Sequence, residues 1–289
     1  MIIRIFEEEI IFMKYKKSYV LELIGHANGE EGRIFLINNN LINATDKKGN
    51  SLLHYSIIES KEEVAEFLIE HDANINLLNS EGACPLELAI RHENKEIVRL
   101  LLSKGVILLD DEGYTALHCA AATGNIEIFE ELVIYYTNVN LQETDNLYTP
   151  LHWACQEEHT FICKKLLEKG ADPNIIDDNG ISPLHQVSAL GNIAIFEWLI
   201  KYGADINSNT NHGAPLHSAV AWDQLHIVKR LLDLSALVNI RNKDGNTPLH
   251  YAYLYQYDHI IQLLLQHGAD PTLRNNNNAI PADITEKLL

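Results

Sequence analysis

The sequence predicts an all-α fold, a solenoid of stacked helix–turn–helix repeats. Three observations predict it: a phrase that reads TPLH or a close variant recurs, its leucine returns every 31 to 34 residues, and a second apolar run follows each copy. A period of this length is typical of helical repeat proteins, whose neighbouring copies supply each other's core. The aligned leucines of repeats one to seven are Leu53, Leu86, Leu117, Leu151, Leu184, Leu216 and Leu249.

Each repeat opens with a turn and a short helix. Turns such as DKKG, DDEG, DDNG and NKDG combine Asp or Asn, whose side chains bond to the local backbone, with a glycine that accepts a positive φ. A Thr or Ser and then Pro follow in most copies. The hydroxyl caps free helix amides, and proline at the first helical position loses no intrahelical bond. The pattern therefore predicts a helix that begins at this proline.

The second helix of each repeat follows as an apolar run with helical spacing. Examples are EIVRLLLSKG, FICKKLLEKG and HIIQLLLQHG, which end at a glycine suited to a helix C-terminus. Phrases such as GADPN and GADIN then lead into the next turn. Each repeat is thus predicted to be a pair of antiparallel helices.

Together these residues resemble the ankyrin repeat, whose turn, TPLH helix start, leucine pair and GADxN exit all occur between residues 46 and 284. The resemblance implies an ankyrin-type α-solenoid with β-hairpin-like tips. It divides the chain into an N-terminal leader with capping helices (1–45), seven ankyrin-like repeats (46–273) and a partial C-terminal capping repeat (274–289). It also implies that the recurring histidine, for example His152, ties a turn to its neighbour.

Two repeats depart from the pattern. In repeat four Leu147 occupies the glycine position, where a positive φ would cost a bulky residue about 1 kcal/mol or more. We therefore expect the turn to shift so that Asn146 takes that conformation. Repeat six reads NHGAPLH and has no hydroxyl at the usual capping position.

The composition narrows the class of partner. Forty acidic residues face 22 basic ones, and a formal charge of −18 disfavours nucleic acid and anionic lipid. No stretch approaches the roughly 18 to 20 uncharged apolar residues of a membrane span. Four cysteines without a CxxC pair indicate reduced thiols. We expect a cytoplasmic protein without membrane insertion, in a host cytosol if it is a secreted bacterial effector.

An enzymatic function is the alternative that the sequence supports least. His152, Cys155 and Cys163 have a spacing that suits part of a zinc site or a thiol nucleophile with its base, although a closed zinc site needs four ligands. No phosphate-binding loop, nucleophile elbow or HExxH pair occurs. We predict no enzymatic activity, no cofactor and no metal.

The resemblance implies that partner proteins bind to the turn tips and to the inner face of the first helices. These positions form an acidic strip with exposed aromatic residues, which suggests a partner with a basic and apolar surface. Trp198, in contrast, falls in the apolar run of a second helix and is expected in the core. The predicted partner-binding residues are Asp111, Glu112, Tyr114, Asp145, Asn146, Tyr148, Gln156, Glu157, Asp178, Asn179, Ile181, Leu190, Trp222, Leu254 and Tyr255.

The resemblance implies two further hypotheses. One is hydroxylation by an asparaginyl hydroxylase at the asparagine of each exit phrase, that is at Asn76, Asn140, Asn174, Asn207 and Asn239. The other is an adaptor or translocated bacterial effector whose N-terminal 45 residues recruit a second protein. The main prediction is a non-enzymatic module or scaffold for protein–protein interaction.

Overall fold

The computed structural model describes residues 17–108 and 113–286, without the side chains of 285 and 286. Across these residues there are seventeen helices and no strand beyond the isolated bridges Thr45–Ser51 and Thr210–Gly213. The predicted all-α class is confirmed. We number the helices α1 to α17: Lys17–Ala27, Glu30–Asn38, Leu52–Ile58, Glu62–Glu70, Pro85–Arg91, Lys95–Ser103, Ala116–Thr123, Ile126–Val133, Pro150–Gln156, Thr160–Glu168, Pro183–Leu190, Ile193–Lys201, Pro215–Ala221, Leu225–Asp233, Pro248–Leu254, Asp258–Gln266 and Pro281–Glu286.

The chain divides into two compact units. The described part of the first unit is 17–108 with 115–134, and that of the second is 113–114 with 135–286. In the first unit, α1 packs against α2 and α3, and the first helices of repeats one to three pack in succession. Val20, Leu23 and Ile24 of α1 are buried, as a capping helix requires.

The second unit contains repeats four to seven and α17. Its first helices, α9, α11, α13 and α15, pack in succession, and α17 packs against α15. The second helices form the other layer, in which α10 contacts α12 and α14 contacts α16. The core between the layers is aliphatic, with Phe196 as its largest fully buried side chain.

The recurring histidine holds neighbouring turns together within each unit. In repeat five, the Nδ1 atom of His185 accepts from the Ser182 amide at 3.3 Å, and its Nε2 donates to the Gly213 carbonyl at 3.0 Å. His54 makes the same contact with Ala83 in the first unit. Both ring nitrogens are used in structural bonds, so the predicted role of this histidine is confirmed at these positions.

The turn of repeat four corrects one expectation. Leu147 itself adopts the positive φ, 56°, and Asn146 does not take its place. The turn is one residue longer than that of repeat five. The Glu143 amide donates to the carbonyl of Tyr148, five residues on, whereas the Asp177 amide donates to the carbonyl of Ile181, four residues on. The side-chain amide of Gln142 then donates to the Leu147 carbonyl at 2.7 Å and fixes this geometry.

Trp198 corrects another expectation, because it is half-buried and does not lie in the core. Its ring lies beneath two ammonium groups, with the Nζ of Lys164 at 4.8 Å and that of Lys201 at 4.7 Å from the ring centroid. The side chain therefore forms part of a cationic surface on the second-helix layer.

Candidate functional site

The first helices of repeats four to seven end in a row of equivalent residues, five positions after the recurring histidine. Leu190 is the last residue of α11, and Glu157, Trp222 and Tyr255 are the C-caps of α9, α13 and α15. A residue with positive φ follows each one, so the chain leaves the helix axis there. We call Glu157, Leu190, Trp222 and Tyr255 the cap ladder.

The side chains of the cap ladder are exposed although three of them are large and apolar. The exposed fraction is 68% for Trp222, 46% for Tyr255 and 43% for Leu190. Glu157 is also exposed, and Leu254 beside Tyr255 is half-buried. Aromatic residues in this state bury a large area on binding at a small entropic cost, which makes them suitable interface anchors.

Hydrogen bonds made by the residue after each of the first three rungs connect the cap ladder to the next repeat. The Glu158 carboxylate accepts from Asn192 at 3.0 Å, the Gly191 carbonyl accepts from the His226 ring at 2.7 Å, and Asp223 pairs with His259 at 2.7 Å. The bonds therefore connect the turn after one first helix to the start of the following second helix. The sequence analysis missed these links, although a polar residue beside each second-helix start was a signal for them.

Aromatic rings extend the ladder at its C-terminal end. The Tyr255 ring lies 5.8 Å from that of Tyr257, and Tyr257 lies 6.2 Å from His259. Tyr251 is the next ring on the other side, at 6.3 Å from Tyr255. Since these rings support one another, Tyr255 is held in place before any partner arrives.

The turns of repeats four and five form the second part of the candidate site. The Asp178 amide donates to the Asn146 carbonyl at 3.0 Å, which joins the two tips. The side chains of Asp145, Asn146, Asp178 and Asn179 are exposed, and Asn179 donates to the Asp178 carboxylate at 2.7 Å. We call Asp145, Asn146, Tyr148, Asp178, Asn179 and Ile181 the tip strip.

The aromatic member of the tip strip is partly occupied in structural contacts. The Tyr148 ring stacks on His152 and meets the edge of Trp153, each at 5.3 Å between centroids. Burial raises the pKa of its hydroxyl, and the charges of Asp177 and Asp178 add to this effect. Only part of the ring therefore remains available to a partner.

The other predicted contact residues lie in varied surroundings. Ile181 is half-buried and its amide donates to the Asp177 carboxylate at 2.7 Å, whereas Gln156 is exposed beside Glu157. Tyr114 is half-buried. Asp111 and Glu112 lie outside the residues that the structure describes.

The cysteine pair has surroundings that oppose catalysis. The Sγ atoms of Cys155 and Cys163 lie 3.7 Å apart in the core between α9 and α10, and both residues are fully buried. Burial raises the pKa of the Cys155 thiol well above its usual value, and the neighbouring Cys163 adds to this effect. A nucleophile needs the thiolate, which these surroundings disfavour.

The described residues contain neither a metal-binding cluster nor a membrane-spanning helix. No cluster of three or more His, Cys, Asp or Glu side chains in this part of the chain has a geometry that could hold a metal ion. None of the helices described is both long and apolar enough to cross a bilayer.

The five asparagines of the exit phrases connect successive repeats. The Asn174 side chain is typical: its oxygen accepts from the Asp205 amide at 2.8 Å, and its nitrogen donates to the Gly203 carbonyl at 3.0 Å. Asn174 is exposed, and the other four are half-buried. A hydroxylase that acts on them has to displace these bonds, and the modification stays a prediction.

Comparison with known proteins agrees with this geometry. A family model for ankyrin repeats matches residues 23–111, 78–143, 105–177, 135–210, 169–242 and 184–275. An ankyrin repeat protein of Acanthamoeba polyphaga mimivirus, L371, is 29% identical over 209 residues, which are 69% of this chain and 27% of the relative. The nuclear factor NF-kappa-B p105 subunit of Gallus gallus is 31% identical over 173 residues, 58% of this chain and 18% of that protein.

A third relative is the ankyrin repeat protein nuc-2 of Neurospora crassa, 32% identical over 184 residues, 60% of this chain and 17% of that protein. The chain thus corresponds to less than a third of the length of each of these three relatives. The residues matched by the family model contain the helix pairs and histidine contacts described above. On this evidence the chain belongs to the ankyrin repeat family.

Proposed function

We propose that the chain is a non-enzymatic protein-binding module, and that the cap ladder with the tip strip forms its contact surface. The observation that carries the proposal is the exposure of Leu190, Trp222 and Tyr255 at equivalent positions of three successive repeats. Apolar side chains scattered singly over a surface are ordinary, but a regular row of them marks an interaction site.

The charge around this surface favours a partner with basic as well as apolar groups. Asp145, Asp178 and Glu157 are exposed acids on the same unit. Their field accelerates the encounter with a basic partner, whereas the desolvated aromatic side chains supply most of the affinity. Ankyrin repeats are generally modules for protein–protein interaction, which supports this class of function.

Affinity capture with the purified full-length chain tests the proposal. We expect the paired change Trp222→Ala and Tyr255→Ala to remove the specific partners while the helical circular dichroism stays unchanged. Trp198→Ala is the matched control, because it removes a half-exposed tryptophan from the second-helix layer. The proposal is wrong if quantitative mass spectrometry finds the same partners with the doubly changed chain and with the control.

The adaptor hypothesis depends on a different part of the chain. Helices α1 and α2 pack against each other and Leu36 of α2 is fully buried, which supports a capping role, whereas Ile34 and Ile37 of α2 are exposed. A recruiting role would use the exposed part of the N-terminal 45 residues, of which residues 1–16 lie outside the described residues. That role and the cytoplasmic or host location stay predictions.

A further inference from the structure

We infer that the partner segment held by the cap ladder is a proline-rich peptide in the polyproline II conformation, with a basic residue at one end. The inference rests on the proposed function, because it uses the same surface. It goes further by assigning the conformation and the chemistry of the bound segment.

The spacing of the cap ladder is the first argument. Its four residues belong to the successive packed helices α9, α11, α13 and α15, one residue per helix. Packed helices lie about 8 to 10 Å apart, so the ladder offers one side chain at about that interval. A polyproline II helix rises about 3.1 Å per residue with three residues per turn, so it presents one side chain to the same side every 9 Å or so.

Other backbone conformations match the ladder less well. A β-strand presents side chains to one face at intervals of roughly 6.6 Å, which fall out of register by the second rung. An α-helix presents them about every 5 Å along its contact face, so every second side chain would meet the space between two rungs. Of these three conformations, the polyproline II helix is the one in which each side chain on the contact face meets a rung and none falls between two rungs.

The chemistry of the rungs is the second argument. Trp222 and Tyr255 are exposed aromatic rings, and flat aromatic surfaces bind the preformed polyproline II helix at a low entropic cost. Leu190 continues the apolar row, and Glu157 at its other end supplies an exposed carboxylate. The complementary peptide therefore has apolar side chains at three consecutive contact positions and Arg or Lys at the fourth.

The fixed position of the rungs is the third argument. The bonds from Asn192 to Glu158, from His226 to Gly191 and between His259 and Asp223 set the first three rungs relative to the next repeat, and neighbouring rings contact Tyr255. A ladder that is already ordered loses little entropy on binding, and a proline-rich ligand is ordered as well. Both partners are thus prepared for a contact that depends on spacing.

Fluorescence anisotropy with labelled synthetic peptides tests the inference. The probe has about twelve residues, four turns of polyproline II helix, with Arg in the first contact position, Leu in the other three and Pro elsewhere. A second probe has the reverse sequence, and the tighter binder of the two is used. The control peptide has the same composition with its leucines adjacent, and a further probe is an amphipathic α-helical peptide of equal charge.

We expect the peptide with the three-residue period to bind at least about tenfold more tightly than its control, because the control places at most one leucine on a rung. Trp222→Ala should weaken binding by roughly 30-fold, as expected for the loss of an interface anchor. Trp198→Ala should leave the affinity within about twofold. Glu157→Gln should weaken binding and reduce its dependence on salt.

Equal affinity for the periodic and control peptides, or tighter binding of the helical peptide, would overturn the inference. If Trp222→Ala abolishes partner capture while the periodic peptide binds no better than its control, the assigned peptide class is wrong and the proposed function stands. If neither peptide binding nor partner capture depends on Trp222, both proposals fail.

Discussion

Acid should destabilise the second unit through His217, and the structure sets both the direction and the size of the effect. The pKa of His217 is lowered from 6.5 to about 4, chiefly by burial and also by the neighbouring His185 and His250. The bond to the Asn246 carbonyl raises the pKa but is the weaker effect. The Nδ1 atom accepts from the Ala214 amide at 3.0 Å, and Nε2 donates to Asn246 at 3.0 Å. A second ring proton would therefore point at an N–H donor.

Because the folded state resists this proton, the unfolded chain binds more protons between pH 6.5 and about 4. The contribution of neutral His217 to the free energy of unfolding is complete above pH 6.5. It declines as the pH falls through this window and is lost below about pH 4. For His217 alone the shift corresponds to about 3 kcal/mol in full, and to about 2 kcal/mol of the free energy of unfolding between neutral pH and about pH 5. The pKa values of His185 and His250 are lowered as well, so they act in the same direction.

Urea unfolding followed by circular dichroism at neutral pH and near pH 5 measures this loss. His217→Gln is the matched variant, since a glutamine amide can donate to Asn246 but does not titrate in this range. We expect the variant to lose about 2 kcal/mol less than the native chain between the two pH values. The reasoning is refuted if both proteins lose the same free energy, or if a nuclear magnetic resonance titration gives His217 an ordinary pKa.

Three further predictions concern the backbone and the charged tips. Gly213→Ala should destabilise the chain by roughly 3 kcal/mol in urea unfolding, because an added Cβ would lie 2.5 Å from the buried His217 ring at a φ of 108°; unchanged stability would contradict that packing. Leu147→Gly should raise the free energy of unfolding by about 1 kcal/mol, because it relieves a positive φ at an exposed side chain; a loss would mean that the leucine side chain contributes more than the strain costs. The paired change Asp145→Asn and Asp178→Asn should slow association with a captured basic partner several-fold at low salt, because it weakens the attracting field. The dissociation rate, measured with the association rate by surface plasmon resonance, should stay within about twofold. A change in the dissociation rate alone would instead place these two acids in the desolvated contact.

The sequence predicted the architecture well because the residues that build each layer recur. A hydroxyl, a proline and a histidine at fixed spacing describe the start of a first helix in repeats four, five and seven, and the structure places all three helix starts at that proline. Repeat six shows that a first helix still forms when the capping hydroxyl is missing. Ala214 stands where the hydroxyl would be, and its amide still bonds to His217.

The details that the sequence did not predict depend on packing between segments far apart in the chain. The position of Leu147 follows from a turn lengthened by one residue and from the Gln142 side chain, which also donates to the Ile176 carbonyl. The sequence of its own helix predicts Trp198 in the core. The ammonium group of Lys164, from the preceding repeat, lies over the ring at the surface instead. Local periodicity contains no information about either neighbour.

The contrast between recurring and variable positions explains where binding specificity is found in this chain. The recurring histidine and the exit asparagine each make bonds to the next repeat, and the proline begins the first helix, so these side chains have little freedom to change. The residue five positions after the histidine is the last residue or the C-cap of the first helix, and its side chain is exposed in repeats four to seven. That position holds Glu157, Leu190, Trp222 and Tyr255 in succession, four different residues on one scaffold. A partner that reads one contact per layer would distinguish this chain from another ankyrin repeat protein by these residues, since the fold requires no particular side chain there.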